Sequence, residues 1–259
     1  MSVEETNIYD IPLSKPKIDA DRLFDPERKQ LKEPLPNTHA TWLFVGKPRS
    51  GKSTYAFSLI TSKKKAYFKL YDEIHIVMPP SSRASLKVES LRKHKRVYDE
   101  LTPETIIKIN KSIDDLLEEK GKEANSLIIY DDVGSVVKDL ELQRDLRQMS
   151  WNYRHRSLTQ YYLLQTLRSL PLPIRKVATI LVVWKLGSVE LELVYNEMMN
   201  WLTKKDWDLI CKHVFNVEAY GKHTCMFIDV DSQEIYRLTD DKYHLLKIVG
   251  NEWYFNIVT

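Results

Sequence analysis

Short apolar runs alternate along the chain with longer segments whose apolar positions recur every three or four residues. Short runs bounded by turn residues are typical of buried strands, and the longer periodic segments are typical of amphipathic helices. The predicted strands are Trp42–Val45, Tyr71–Met78, Leu127–Tyr130, Tyr161–Leu164 and Val177–Trp184, followed by a closing hairpin at Thr224–Val230 and Ile235–Leu238. The predicted helices cover residues 54–61, 103–120, 140–151 and 190–202, and a further amphipathic segment runs from Trp207 to Phe215. Because the central runs are apolar on both faces, they indicate a mostly parallel sheet between two layers of helices, which is a three-layer α/β fold.

Residues 1–37 differ in composition from the rest of the chain. They are polar, of mixed charge and interrupted by Pro12, Pro16, Pro26, Pro34 and Pro36. Such a composition is typical of an extended arm rather than of a folded unit. We therefore predict one α/β domain over residues 38–259, with a basic, helical insertion at about 80–123 and C-terminal helices and a β-hairpin at 187–259.

The first predicted strand leads directly into a phosphate-binding motif. Gly46 is followed after four residues by Gly51, Lys52 and Ser53, which is the spacing of the P-loop, or Walker A, motif. A strand that turns through glycines into a helix N-terminus points several backbone N–H groups at one anion. The residues expected to bind the phosphates of a nucleotide such as ATP are Gly46, Lys47, Pro48, Arg49, Ser50, Gly51, Lys52, Ser53 and Thr54. Lys52 would contact the β- and γ-phosphates, and the hydroxyl of Ser53 would coordinate Mg²⁺.

Two further strand ends carry polar side chains that suit phosphoryl transfer. The predicted strand Leu127–Tyr130 is followed by Asp131 and Asp132, which is the form of a Walker B motif. We expect Asp131 to hold the Mg²⁺ and Asp132 to orient or deprotonate the attacking water. Gln165 follows the next predicted strand. It comes within reach of the γ-phosphate if the two strands are neighbours, because ligands of open α/β sheets bind at the carboxyl ends of the strands.

The charged residues are distributed unevenly, although the net charge is only +3. Residues 61–98 contain ten Lys or Arg and three Asp or Glu, and residues 144–176 contain seven and one. Two basic blocks beside a phosphate-binding loop indicate a polyanionic partner such as nucleic acid. The candidate nucleic-acid contacts are Arg83, Lys87, Arg92, Lys93, Lys95, Arg96 and Arg168.

Other features of the sequence narrow the class of protein. No apolar run approaches the ~20 residues that span a bilayer, and two cysteines without a paired framework favour a soluble protein in a reducing compartment. Cys211, His213, His223 and Cys225 lack the usual spacing of zinc ligands, so a zinc site is disfavoured.

Hydrolysis of a triphosphate also requires positive charge near the γ-phosphate in the transition state. That charge is often an arginine from a neighbouring subunit. The candidates here are Arg154, Arg156 and Arg175, and each could equally be a surface charge or a nucleic-acid contact.

Four segments of the chain resemble the FtsK/HerA superfamily of P-loop motor ATPases, and within it the genome-packaging ATPases of large eukaryotic DNA viruses and virophages. The segments are GKPRSGKS at 46–53, LIIYDDVGS at 127–135, NYRHRSLTQYYLLQT at 152–166 and LPLPIRK at 170–176. The resemblance implies a RecA/FtsK-HerA-like P-loop fold, in which Gln165 is the sensor residue, Arg154 the leading arginine finger supplied in trans and Arg175 the second. The chain departs from the family pattern at Asp132, where the superfamily often has Glu, and at Tyr153, where a small residue usually precedes Arg-His.

The same resemblance implies a role for the whole protein. Members of this group are ring-shaped homo-oligomers, and a pentamer or hexamer would use ATP and Mg²⁺ to drive double-stranded DNA into a preformed capsid. A capsid or portal-vertex protein is then an expected partner. The expected location is the virion or the site of viral assembly in the host cell.

Several other functions are compatible with a P-loop. A nucleotide or small-molecule kinase shares the loop and the α/β fold, although the two aspartates and Gln165 suit water activation better than acceptor binding. A DNA pump of the FtsK/HerA type that is not tied to a capsid is a second alternative. A GTPase is disfavoured because no Asn-Lys-x-Asp guanine motif follows a strand, and a scaffold that merely retains a nucleotide site is disfavoured because both Walker motifs are intact.

Overall fold

Ten strands in the described part of the chain form one mixed sheet at the centre of the protein. The computed structural model describes residues 34–62, 67–86, 89–134, 139–239, 242–249 and 252–255. The strands are β1 (Thr41–Val45), β2 (Glu73–Val77), β3 (Val97–Tyr98), β4 (Ser126–Asp131), β5 (Leu158–Leu164), β6 (Ile180–Trp184), β7 (Cys225–Asp229), β8 (Glu234–Thr239), β9 (Lys242–Val249) and β10 (Glu252–Phe255). The helices are α1 (Lys52–Thr61), α2 (Pro80–Ser85), α3 (Glu89–Arg92), α4 (Pro103–Lys120), α5 (Leu140–Trp151), α6 (Leu172–Arg175), α7 (Ser188–Met198), α8 (Lys204–Val214) and α9 (Val217–Tyr220).

One half of the sheet is parallel and has the strand order β3-β2-β4-β5-β1-β6. The C-terminal ends of these parallel strands lie along one side of the sheet, here called the carboxyl edge. Their N-terminal ends lie along the opposite side, here called the amino edge. β5 lies between β1 and β4, since Val45 pairs with Leu164 and Asp131 pairs with Leu163. The strand that leads to Gln165 is therefore the neighbour of the strand that ends in Asp131, as the sequence-based reasoning required.

The other half of the sheet is antiparallel and has the order β6-β7-β8-β9-β10. The predicted hairpin corresponds to β7 and β8, whereas β9 and β10 were not predicted. Lys242, His244 and Lys247 interrupt the apolar positions of β9, so its sequence lacks the continuous run that marks the central strands.

Alternate residues of the central strands enter two separate hydrophobic clusters, one on each face of the sheet. Along β1, Leu43 and Val45 pack in the cluster that contains buried residues of α4, α5, α6, α7 and α8. Trp42 and Phe44 pack in the other cluster, with α1. This alternation follows from the two-residue period of a strand, and it confirms the predicted three-layer α/β fold.

Capping residues set the ends of the best predicted helices. Thr102 Oγ1 accepts a hydrogen bond from the N–H of Thr105 at 3.2 Å, and Pro103 occupies the first position of α4. Gly121, with φ of 57°, follows the last residue of α4. Asp139 Oδ1 accepts from the N–H groups of Glu141 and Leu142 at the start of α5. The helices predicted at 103–120 and 140–151 are confirmed.

Other boundaries differ from the prediction. α1 begins at Lys52, two residues before the predicted start, because Gly51 already ends the loop. β6 begins at Ile180, since the N–H groups of Val177 and Ala178 bond to carbonyls of α6 and remain in its turn. α7 ends at Met198 because Leu202 belongs to a turn, where its N–H bonds to the carbonyl of Met199.

The predicted division of the chain is only partly within the described residues. Most of the predicted arm, residues 1–33, lies outside them. The segment predicted as an insertion at about 80–123 contains α2, α3, β3 and α4, and it supplies an edge strand and a core helix to the domain. Among the described residues, no helix has both the length and the apolarity of a membrane span.

Candidate active site

The P-loop, Gly46–Ser53, connects the carboxyl end of β1 to α1. Gly51 has φ of 110°, and Arg49 has φ of 64°, so the loop uses left-handed backbone that glycine adopts without strain. A Cβ at Gly46 would lie 2.7 Å from Ser50 Oγ and 2.9 Å from Trp184 Cβ, so the turn has no room for a larger residue there. No side chain caps the N-terminus of α1. Its first N–H groups therefore suit an anion in the loop.

Lys52 is held inside the loop. Its ammonium donates hydrogen bonds to the carbonyl oxygens of Gly46 at 2.6 Å and Lys47 at 3.0 Å. Burial lowers the pKa of Lys52, while the charges of Asp131 and Asp132 oppose that shift. The two aspartates are thus close enough to act on the ammonium electrostatically, which places the lysine of β1–α1 and the acids of β4 in one site.

Asp131 is the buried carboxylate of this site. Burial and the neighbouring charge of Asp132 raise its pKa to about 6, and Lys52 and a hydrogen bond with the Ser53 side chain counteract part of that rise. Ser53 and Asp131, the two residues predicted to coordinate Mg²⁺, therefore lie close to each other. A hydroxyl and a carboxylate are hard oxygen donors, and a site of few protein ligands beside substrate phosphates is the usual way in which Mg²⁺ is held.

Asp132 and Gln165 form a pair at the exposed mouth of the site. Gln165 Nε2 donates a hydrogen bond to Asp132 Oδ1 at 2.8 Å. Asp132 has φ of 56°, a left-handed conformation that directs its side chain away from the line of β4. Its N–H still bonds to the carbonyl of Leu163 at 3.4 Å. A non-glycine residue in this conformation carries local backbone strain, which is found more often at functional sites than elsewhere.

The loops that follow β4 and β5 pack against each other. A Cβ at Gly134 would lie 2.6 Å from Ser169 Cβ, so the two loops approach as closely as glycine allows. The N–H of Leu167 donates to Glu190 of α7 at 3.2 Å, which anchors the loop after β5. The positions of Asp132 and Gln165 are thus fixed by one connected set of contacts.

The three arginine candidates lie outside this cluster. Arg156 is bound within its own subunit by Asn110 and Asp114 of α4. Arg175 pairs with Glu197 of α7. Arg154 is exposed, and its guanidinium lies 5.6 Å from the ring centroid of Tyr153, to whose hydroxyl its Nε donates at 2.9 Å. It precedes β5 and therefore lies at the amino edge, whereas the P-loop lies at the carboxyl edge.

The candidate nucleic-acid contacts do not form one patch. Arg96 precedes β3 at the amino edge and pairs with Glu73 at 3.0 Å, while the exposed Arg168 follows β5 at the carboxyl edge. Arg83 bonds to Asp99, and Lys93, which directly follows α3, bonds to Glu89 of that helix. Arg92 and Lys95 are exposed, and Lys87 lies outside the described residues.

Three residues next to the P-loop were not predicted to belong to the nucleotide site. Trp184 ends β6, and its indole nitrogen would lie 3.5 Å from a Cβ at Gly51. His223 Nδ1 lies 3.1 Å from the carbonyl oxygen of Ser50. His223 and Tyr220 both line a cavity that lies beside α1. His223 is 173 residues from Ser50 in sequence, and no spacing pattern connects them. His223 was considered from the sequence only as a disfavoured zinc ligand, whereas in the fold it contacts the P-loop. Cys211 and Cys225, the cysteines of the same disfavoured site, are free in the described part of the chain.

A parallel sheet that carries this loop on one strand and the acid pair two strands away is the architecture of the P-loop nucleoside triphosphatases. The family model of the poxvirus A32 protein matches residues 27–234. The chain belongs to that family. A search of curated protein sequences finds no match.

The fold of this chain resembles solved structures of the viral protein B204. The DNA-packaging ATPase B204 from Sulfolobus turreted icosahedral virus is 16% identical, with a TM-score of 0.51, over 76% of this chain and 96% of that chain. The genome-packaging NTPase B204 from Sulfolobus turreted icosahedral virus 2 in complex with AMP is 16% identical, with a TM-score of 0.50, over 77% of this chain and 96% of that one. The same values hold for its complex with AMPPCP. At this identity the likeness concerns the fold.

Proposed function

We propose that this protein is an ATPase that moves double-stranded DNA into a viral particle. The observation that carries the proposal is the convergence of Lys52, Asp131, Asp132 and Gln165, from three different strands, at one end of the sheet. This set suits attack by water on a bound triphosphate. Membership of the poxvirus A32 protein family and the fold shared with the DNA-packaging ATPase B204 support a packaging role.

Different groups around the loop would bind the phosphates and the Mg²⁺ of the nucleotide. The N–H groups at the start of α1 would bind the phosphates, and Lys52 would turn from the carbonyls of Gly46 and Lys47 to the β- and γ-phosphates. Ser53 and Asp131 would hold Mg²⁺, which when bound neutralises the charge that develops on the phosphates. Deprotonation of Asp131 is required for this role, because only the carboxylate is an effective ligand.

Asp132 and Gln165 would position the attacking water. The amide nitrogen of Gln165 donates to Asp132 Oδ1, so the amide oxygen is directed elsewhere and can accept a proton of the water. Asp132 would accept the other proton as the water oxygen bonds to the γ-phosphorus, and the bridging oxygen leaves with ADP. The shorter side chain of Asp, relative to Glu, is compatible with this arrangement because Gln165 shares the contact with water.

The missing cation is proposed to come from a neighbouring copy of the chain. Arg154 lies at the amino edge and cannot reach the P-loop of its own subunit at the other end of strands that are about 17 Å long. The proposal therefore requires a head-to-tail ring in which the amino-edge surface of one subunit meets the carboxyl edge of the next. Arg156 and Arg175 are less suitable, because only 18% and 11% of their side-chain surfaces are exposed, whereas Arg154 is exposed. We therefore assign the trans arginine finger to Arg154, in a ring of five or six copies.

DNA would contact the ring through exposed basic residues. Arg168 lies in the loop directly after Gln165, so a phosphate contact there is close to the catalytic pair. Arg92 and Lys95 form the second exposed group. A capsid or portal-vertex protein would hold the ring at the site of particle assembly or in the virion, where the genome enters.

The proposal is tested by ATP turnover with and without double-stranded DNA. Wild-type protein should hydrolyse ATP faster with DNA, and Lys52→Ala should lower turnover by at least roughly a hundredfold, because the residue contacts the transferred phosphoryl group. The matched control is Lys122→Ala, which should retain full turnover, because this lysine lies in the turn between α4 and β4, away from the P-loop. Phosphate transfer to a nucleoside acceptor, with no response to DNA, would establish a kinase instead.

A further inference from the structure

A cavity of about 360 Å³ lies at the carboxyl edge, between the ends of β2 and β4 and the start of α4. We call it the edge cavity. It lies on the opposite side of β4 from the P-loop, since β1 and β2 flank β4 on different sides of the sheet. Its lining includes the buried apolar residues Val77, Met78, Leu101 and Val133. The volume lies within the range of small-molecule sites, so the cavity has room for one large side chain.

Exposed carboxylates also line the edge cavity. Asp99 and Glu100 belong to the segment between β3 and α4, and Asp132 is the acid that pairs with Gln165. Asp99 is bonded to Arg83 at 3.3 Å. Apolar residues beneath exposed carboxylates suit an aromatic side chain that is accompanied by a cation, because interface anchors occupy pockets and charges across an interface are complementary.

The segment at the end of α5 has this combination of side chains. Trp151 is the last residue of α5 and is 58% exposed, whereas the core-facing residues of the same helix are buried. Arg154 and His155 are exposed close by, and residues 151–158 contain no acid. A lone exposed apolar side chain is common on protein surfaces. An exposed tryptophan beside exposed basic residues, however, has the composition of an interface anchor.

The loop that follows Trp151 is fixed by hydrogen bonds within the chain. Tyr153 is buried, and its carbonyl accepts from the N–H of Leu158, the first residue of β5, at 3.0 Å. The N–H of Arg156 bonds to the carbonyl of Asn152 at 3.1 Å. The loop therefore lies at the amino edge in a preorganised conformation, which lowers the entropy that a contact through it would lose.

Trp151 cannot occupy the edge cavity of its own chain. The two lie at opposite ends of β4, and a strand of six residues is about 20 Å long. A complementary anchor and pocket on different surfaces of one molecule make a head-to-tail contact between copies, and such contacts close into rings or continue as filaments.

We propose that Trp151 of one copy inserts into the edge cavity of the next copy, and that this contact positions Arg154 at the neighbour's active site. This inference rests on the proposed function, in which Arg154 acts in trans. The Cα atoms of residues 151 and 154 are at most about 11 Å apart. Because Asp132 lines the edge cavity and also bonds to Gln165, an anchor in the cavity places Arg154 at the same end of the neighbour's sheet as the catalytic pair. Trp151 is thus a positioning residue.

Crosslinking between two differently tagged chains tests the contact directly. One chain carries Trp151→Cys and the other Glu100→Cys, and both carry Cys211→Ser, so that the remaining native cysteine is the buried Cys225. The chains are mixed with ADP and Mg²⁺ and treated with a short bismaleimide. We expect a linked species that contains both tags. Leu209→Cys, at an exposed position of α8, replaces Trp151→Cys in the control and should give none.

The strength of the contact is measured by analytical ultracentrifugation. Trp151→Ala should weaken self-association at least roughly thirtyfold, as expected for an anchor residue, and Trp151→Phe should lose less because it keeps an aromatic ring. Glu100→Arg should also weaken self-association, since it opposes Arg154 with like charge. Leu209→Ala is the control and should associate as wild type does.

The outcomes separate this inference from the proposed function. Unchanged self-association of folded Trp151→Ala, as judged by circular dichroism, would overturn the inference, and so would the absence of a species that contains both tags. If Arg154→Ala still abolished turnover in that case, the trans arginine would stand and the copies would meet through another surface. The expected crosslink and association without DNA-stimulated turnover would instead contradict the packaging function.

Discussion

The carboxylate of Asp131 combines burial with a like-charged neighbour, and its pKa of about 6 follows from these two causes. Such a group is poised to lose its proton when a divalent cation arrives, because the cation reverses the local electrostatic balance. The burial of Asp131, the proposed Mg²⁺ ligand, therefore lowers the stability of the nucleotide-free protein when this carboxylate is ionised. That loss of stability depends on pH and can be measured.

Asp131→Asn should stabilise the ligand-free protein at neutral pH. The folded pKa of Asp131 lies above its ordinary value of 3.8, so its contribution to stability is fully present below pH 4 and is lost as the pH rises through 6. Asn does not titrate. The difference in unfolding free energy between the Asn variant and wild type should shift by about 1–3 kcal/mol in favour of Asn between pH 4.5 and pH 7.5.

Chemical denaturation at both pH values, without Mg²⁺ or nucleotide, provides the measurement. Asp115→Asn, at an exposed position of α4, should show no such change between the two conditions. A difference between Asp131→Asn and wild type that is the same at both pH values would contradict the burial argument.

Candidate site residues that belong to motifs of fixed spacing could be predicted from the sequence. Residues that tertiary contacts bring to the site could not. The P-loop and the acid pair form compact patterns because loop and strand geometry require particular residues at fixed separations. Trp184 and His223 reach the loop only because β6 lies beside β1 and β7 lies beside β6. The ion pairs of Arg156 and Arg175 also needed the fold, since their acidic partners lie on helices distant in sequence.

At the scale of elements, apolar runs located every central strand but misplaced the ends where buried residues are polar. β5 begins at Leu158, three residues before the predicted start, because Thr159 and Gln160 are buried although they are polar. Gln160 Oε1 accepts a hydrogen bond from Tyr162 at 2.9 Å, whereas Gln160 Nε2 and Thr159 Oγ1 are buried without a hydrogen-bond partner among the described residues. A pattern of hydrophobic positions cannot reveal that polar residues are buried here.

The contact between the loops after β4 and β5 predicts a catalytic defect at Gly134. In Gly134→Ala the new methyl group would clash with Ser169, and the displacement would separate Asp132 from Gln165. Turnover should fall by about tenfold to a hundredfold with the KM for ATP little changed, because small misplacements of catalytic groups cost rates of this order.

The control is a second substitution that removes the obstacle. Ser169→Gly alone should be nearly neutral, and the Gly134→Ala/Ser169→Gly double variant should recover most of the lost turnover. A double variant no faster than Gly134→Ala would show that the defect does not arise from this contact.

At the scale of the whole molecule, the proposal that Arg154 acts on the P-loop of a neighbouring chain makes each site dependent on two chains. Arg154→Ala and Lys52→Ala should each be inactive alone. In an equimolar mixture, a subunit with an intact P-loop meets a neighbour with an intact arginine at about a quarter of the interfaces of a head-to-tail ring. We therefore expect the mixture to regain about a quarter of wild-type turnover.

Turnover of the mixture, with assembly followed by native mass spectrometry, tests this prediction. Arg144→Ala, at an exposed position of α5, replaces Arg154→Ala in the control mixture and should itself remain active. Mixed rings that form but show no turnover would exclude Arg154 as the shared residue.

β3 is an outermost strand of the sheet, and it pairs with β2 through only two residues. So short a strand offers few unpaired backbone groups to another chain, and natural sheets use short edge strands to prevent edge-to-edge pairing. In the proposed ring, a contact between copies on that flank would therefore be made by side chains and not by a continuous ladder of backbone hydrogen bonds.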